Sequence, residues 1–137
     1  MHNVSSPRSD DSAIEQEIKA KGLTAPRVTP QDIEANIHDR WFFTAWQGAQ
    51  LAYWGNSDPR NPKPVEGEPD PEGPLSLLTF CVLVLKNGFT VTGESACASP
   101  ENFDAEIGKK IAFENAKQKI WPLMGYALKE RLGAQNG

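Results

Sequence analysis

The stretch Leu75–Ser95 limits the fold more than any other. Leu75–Lys86 reads Leu-Ser-Leu-Leu-Thr-Phe-Cys-Val-Leu-Val-Leu-Lys, Asn87-Gly88 follow, and Phe89–Ser95 reads Phe-Thr-Val-Thr-Gly-Glu-Ser. Asn-Gly between two strand-like runs is the strongest short hairpin signal, because both residues tolerate positive φ. The pattern predicts an antiparallel hairpin over about 76–95 with Asn87-Gly88 at its turn. A two-residue turn pairs Lys86 with Phe89, Val84 with Val91 and Val82 with Gly93. One face then carries Phe80, Val82, Val84, Phe89 and Val91. The other carries Cys81, Leu83, Leu85, Thr90 and Thr92, with Glu94 beside Thr92 and Cys81. The first strand is apolar on both faces and must be covered twice. Two strands alone are marginal. The aromatic segment upstream, or another subunit paired at the strand edge, is expected to supply the second cover.

Helical signals flank the hairpin. Ser12 and Glu15 have capping-box spacing, Ile14 and Ile18 follow at i and i+4, and Gly22 suits a C′ stop, so a short helix is expected near 13–21. Thr29-Pro30-Gln31-Asp32 is a stronger start, with a capping Thr, a first-position Pro and an acid against the dipole. Ile33, Ile37 and Trp41 fall on one stripe, and Trp41–Trp54 is rich in aromatics. The expectation is a second helix, broken near Thr44 and ending by Gly55. Downstream, Ser99-Pro100-Glu101 reads as a helix start. Phe103, Ile107, Ile111, Ala112, Ala116 and Ile120 form its stripe, and Pro122 should kink it before a last segment ending at Gly133. These elements make an α+β domain: one or two N-terminal helices, then a hairpin packed on a long C-terminal helix kinked near Pro122.

Composition divides the chain. Residues 1–74 hold 7 Lys and Arg against 12 Asp and Glu, and residues 75–137 hold 7 against 6. The core is therefore expected in the second half. Residues 1–11 read as a disordered tail and 12–54 as the helical region. Residues 55–74, with six Pro, seven charges and Val65 as the one large apolar residue, read as a flexible loop. Residues 75–134 are the expected core. The spacings Pro59-x-x-Pro62 and Pro71-x-x-Pro74 match a polyproline ligand only weakly.

Several chemistries are disfavoured. Two Cys 16 residues apart and two His do not make the paired spacing of a structural zinc site. Cys81 and Cys97 read as reduced, packed thiols. Gly88-x-x-x-x-Gly93 is followed by Glu94, where a phosphate loop needs Lys. No nucleophile elbow and no Ser/His/Asp set can be drawn, so no catalytic residue, metal or cofactor is expected. No run of 18 apolar residues suggests a membrane span. A net charge of −4 argues against coating nucleic acid through bulk charge.

Leu78–Leu132 resembles a family of small tailed-bacteriophage proteins, the gene-product-49/gene-66 family. The resemblance rests on Asn87-Gly88, Gly93-Glu94-Ser95, Cys97, Asn102-Phe103-Asp104, Gly108, Ala112, Glu114-Asn115-Ala116, Lys119-Ile120-Trp121 and Gly125-Tyr126, in that order. Val28–Ile37 resembles the family's leading helix, and the proline-rich loop is an insertion. The resemblance implies a phage or prophage origin and the cytoplasm of the infected bacterium. It brings no catalytic residues and no cofactor.

Candidate ligand- or partner-binding residues are Glu94, Lys110, Phe113, Asn115, Trp121 and Tyr126. Asn115 is a poor mid-helix residue, so it is expected either to hold the hairpin–helix junction or to line a pocket with Lys110, Phe113 and Trp121. Glu94 is expected in water at an edge, bonded to the Cys97–Ser99 loop, or on a ligand. The resulting expectation is a non-enzymatic binding module that forms a homo-oligomer and acts on a host protein or a small-molecule defence signal. The alternative is a nucleic-acid accessory protein using Lys109, Lys110, Lys117 and Lys119.

Overall fold

A computed structural model describes residues 11–55, 60, 63 and 67–136. The order is α1 (Asp11–Ala20), α2 (Pro30–Ala35), β1 (Ile37–Thr44), α3 (Ala45–Gly55), β2 (Leu78–Leu85), β3 (Thr90–Ala96), α4 (Ala105–Gln118) and α5 (Ile120–Asn136). The strands form one antiparallel sheet in the order β1-β2-β3. α4 packs on β2 and β3 to make the core. The fold is α+β, with a hairpin against a long, broken C-terminal helix.

The second helix is shorter than the stripe Ile33, Ile37, Trp41 suggested. α2 has the full capping box, with Asp32 N–H donating to Thr29 Oγ1 and Thr29 N–H to Asp32 Oδ2. It stops at Asn36, and the next eight residues are strand. Lys86 N–H donates to the Asn36 carbonyl at 3.0 Å, the start of a ladder that pairs Trp41 with Val82 and Phe43 with Phe80. Helical spacing lost because Ile37–Thr44 is rich in aromatic residues and finds a strand partner far along the chain. The edge of β2 that seemed open to a second subunit is thus taken by β1.

The hairpin is shifted by one residue from the expected register. Asn87 does not adopt positive φ, and Gly88 does (φ +91°). A type I′ turn needs positive φ at both residues, so the loop takes three, Lys86-Asn87-Gly88. Leu85 N–H donates to the Phe89 carbonyl at 2.8 Å, and Leu83 faces Val91. A slip of one residue exchanges the faces of the second strand. Val91, Gly93 and Ser95 lie inside with Leu83, Cys81 and Thr79, while Glu94 stands opposite Phe80 on the outer face, away from Cys81.

Gly93 explains why this register wins. A Cβ there would lie 2.2 Å from Ala116 N and 2.3 Å from Ala112 O. The backbone of α4 therefore rests directly on the strand, and the residues facing the sheet must be small. Gly108, Ala112 and Ala116 are buried at four-residue intervals, and Ile120 continues the line. Ile107 is left exposed. Ser99–Asn102 forms only a 3-10 turn; α4 begins at Ala105, where Asp104 accepts from Ile107 N–H at 3.0 Å, so Phe103 precedes the helix. The break falls at Lys119, which places Pro122 in the first turn of α5, where no backbone donor is required. α5 continues past Gly133 to Asn136. Ile33, Leu83, Ile120 and Cys81 are the largest fully buried side chains.

The described part of the proline-rich stretch is tied to α3. The Trp46 indole donates to the Pro69 carbonyl at 3.2 Å, and Ser76 Oγ donates to the Pro71 carbonyl. Residues 56–59, 61–62 and 64–66 of the expected loop, and 1–10 of the expected tail, lie outside the described residues.

Candidate functional site

A cleft of about 480 Å³ opens between the N-terminal helices and the α4–α5 break. Its floor is apolar, with Ile33 and Pro30 of α2, Phe113 of α4 and Trp121 of α5. Its walls are charged, with Glu34 on one side, Lys110, Glu114 and Lys117 on α4, and Asp11 and Ser12 on α1. Positions 110, 113, 114 and 117 fall on one side of α4 because residues three and four apart are helix neighbours.

The charges are paired in a chain that joins three elements. Lys117 Nζ lies 3.3 Å from Glu114 and 3.3 Å from Glu34. Glu34 lies 3.9 Å from Arg40 of β1. Both cations face the Phe113 ring, the Arg40 guanidinium at 4.7 Å and the Lys117 ammonium at 5.1 Å from its centroid. This arrangement fastens α2 and β1 to α4, with the exposed Glu34–Arg40 pair contributing about 0.2–1 kcal/mol. Lys110 is exposed and pairs with none of the described residues. The cleft therefore offers an aromatic floor, one ammonium unpaired among the described residues, and a fixed row of compensated charge.

Three of the six candidate residues, Lys110, Phe113 and Trp121, meet in this cleft. Asn115 points elsewhere: its Nδ2 donates to the Glu94 backbone carbonyl at 2.9 Å and ties α4 to β3. Glu94 joins that contact only through its backbone, and it is exposed. Tyr126 stands 72% exposed on α5, outside the cleft. Sequence reading did not place Glu34, Glu114, Lys117 or Arg40 in this cleft; it considered Lys117 only for nucleic acid. The i,i+3 spacing of Glu114 and Lys117 was available as a signal, whereas the approach of Glu34 and Arg40 depends on how α2 and β1 pack.

Of the four lysines considered for nucleic acid, Lys117 is held between Glu34 and Glu114, and Lys109 is 3.9 Å from Glu106. Both cysteines are free and buried. Burial pushes the Cys81 thiol up to about 11, with Arg40 pulling weakly the other way. Cys97 Sγ donates to the Ser99 carbonyl. No three His, Cys, Asp or Glu side chains among the described residues are grouped to hold a metal. No helix among those residues is long and apolar enough to cross a membrane.

A second surface is notable for what does not cover it. On the outer face of the sheet, Asp39, Trp41 and Phe43 line up with Val84, Val82 and Phe80, and these with Thr90, Thr92 and Glu94. Trp41 is 60% exposed, and Phe80, Val82 and Val84 are only half-buried. α3 meets the Phe43 end, where a Cβ added at Gly48 would lie 4.0 Å from the ring, and α3 itself exposes Leu51 and Trp54.

The fold and its surfaces define a small two-layer α+β protein with one closed and one open sheet face. The chain belongs to the phage protein (N4 Gp49/phage Sf6 gene 66) family, whose pattern it matches over residues 28–132. That span takes in β1, the hairpin, α4 and most of α5, together with the intervening proline-rich stretch. No curated protein and no solved structure matches the chain.

Proposed function

We propose that this phage-family protein is a non-enzymatic binding module, that it assembles with a second copy of itself through the open sheet face, and that it acts in the host cell on a host protein or a small-molecule signal. The observation that carries this reading is the outer face of β1-β2-β3, where Trp41, Phe80, Val82 and Val84 present an apolar surface to solvent. Contiguous exposed apolar surface on a small domain marks an interaction site. Its centre is apolar, and Asp39 and Glu94 sit at opposite corners, an apolar core within a polar rim. Two such faces related by a two-fold axis parallel to the strands would set Val82 against its own copy and keep Glu94 from facing Glu94.

Light scattering on the purified chain tests the assembly. A dimer or higher oligomer is expected at micromolar concentration. Trp41→Glu, which places a charge beside Val82 on the face, is expected to give a folded monomer. A wild-type chain that stays monomeric to the highest soluble concentration refutes assembly through this face.

A further inference from the structure

The family match begins at residue 28, and the chain carries a helix ahead of it. α1 lies over the family core beside Trp121, and its principal packing partner is α2. The large cleft opens on one side of it. A smaller one of about 110 Å³ opens beneath it, lined by Ile14 and Ile18 of α1 with Val28, Pro30 and Trp121. The helix fits its seat loosely. Ile14 is 52% exposed, Ile18 is half-buried, and both clefts border the helix. A helix of ten residues does not hold its shape alone in water.

What orients α1 is charge. Glu15 is buried, and its two carboxylate oxygens accept from Arg27 Nη1 at 2.6 Å and Nη2 at 2.7 Å. Asp11, one turn earlier, stands in the large cleft together with Lys110. The helix thus presents acids at i and i+4 and isoleucines at i+3 and i+7. The seat presents Lys110 toward the helix start, Arg27 at its middle and Trp121 along both clefts. We propose that this seat is a docking groove for an amphipathic helix of a second protein, one with acids and bulky apolar residues at the same spacing, and that α1 is the chain's own occupant, which such a helix displaces. Side chains larger than Ile14 and Ile18 would fill the smaller cleft while a carboxylate kept the Arg27 fork. A short tether holds α1 at an effective concentration of about millimolar. A competitor must therefore fit better than α1 does, and the clefts along α1 are where it can. This groove is separate from the open sheet face, and the inference does not depend on assembly through that face.

A charge exchange on the full chain tests it. The probe is a fluorescein-labelled synthetic peptide spanning residues 11–23, made as the native sequence and with Glu15→Arg, and read by anisotropy. Arg27→Glu in the protein sets two carboxylates against each other and releases α1. That protein should bind the Glu15→Arg peptide at least roughly tenfold more tightly than the native peptide. The wild type, its groove filled, should bind both peptides more weakly than that. Hydrogen exchange of the unmodified chain should show α1 amides exchanging about a hundredfold faster than those of α4. The proposal is overturned if neither peptide binds the Arg27→Glu protein at about 1 mM while circular dichroism shows its core folded. It is also overturned if binding ignores the charge at position 15, or if α1 amides are protected as well as α4. Arg27→Glu and Glu15→Arg chains that form a mixed dimer on combination, seen as a doubled mass that neither chain gives alone, would make the occupant a second copy and likewise overturn it.

Discussion

Gly93→Ala should be among the most damaging single-methyl changes this chain can receive. The new Cβ would sit 2.2 Å from Ala116 N, 2.3 Å from Ala112 O and 2.8 Å from Ala116 Cα. Carbon atoms in ordinary contact stand about 3.5–4.0 Å apart, so α4 would have to withdraw by about 1 Å or more. None of the three opposing atoms belongs to a side chain that can rotate away. Withdrawal would strip contacts from Ala112, Ala116 and Ile120 against Cys81 and Leu83, all now fully buried. A radial gap of that size forfeits about a quarter to a half of each dispersion well. Overpacking usually costs about 1–3 kcal/mol. With backbone on both sides we place this case at about 3 kcal/mol, after allowing about 0.5–1 kcal/mol for relief of glycine's flexibility in a strand. For a chain of this size that is a fall of roughly 10 °C in melting temperature. Urea unfolding followed by tryptophan fluorescence would measure it. Gly125→Ala is the control: it lies inside α5 with nothing within 4 Å of the added Cβ, and should stabilise by about 1 kcal/mol. A Gly93→Ala protein within about 0.5 kcal/mol of wild type would refute the claim that helix backbone rests on this strand.

Two further outcomes follow from the buried groups. Cys81 is inaccessible and its thiol is held protonated, so Ellman's reagent should modify it only at the rate of unfolding; prompt reaction in the native protein would contradict its place in the core. The hydrogen bonds from Arg27 hold the Glu15 carboxyl below its ordinary value of 4.5, outweighing the opposing effect of burial. A lowered carboxyl value means that the docking of α1 is fully supported above pH 4.5 and lost as pH falls through the folded value. Hydrogen exchange at α1 should accelerate over that acid range and show no such step in Glu15→Gln.

Local rules made part of this protein legible before any coordinates. The helix start at Thr29-Pro30-Gln31-Asp32, the hairpin around Asn87-Gly88, and a break close to Pro122 all depend on residues within one turn of each other, and the backbone obeys them wherever the segment lies. Lys110, Phe113 and Trp121 could be grouped because helical spacing brings them to one side of neighbouring segments. Other features depended on distant partners. Ile37 and Trp41 fell on a helical stripe with Ile33, and only pairing with β2 decided for the strand. The hairpin register turned on Gly93, whose missing side chain matters only because Ala112 and Ala116 press against it. Glu34 and Arg40 reached Lys117 and Phe113 because α2 and β1 were already packed on α4. The amino-acid order thus determined where α2 starts, where the chain reverses and which segments are apolar. Tertiary packing decided which faces are inside, because a strand's two faces differ by a single residue of register and only contact with the opposing layer distinguishes them.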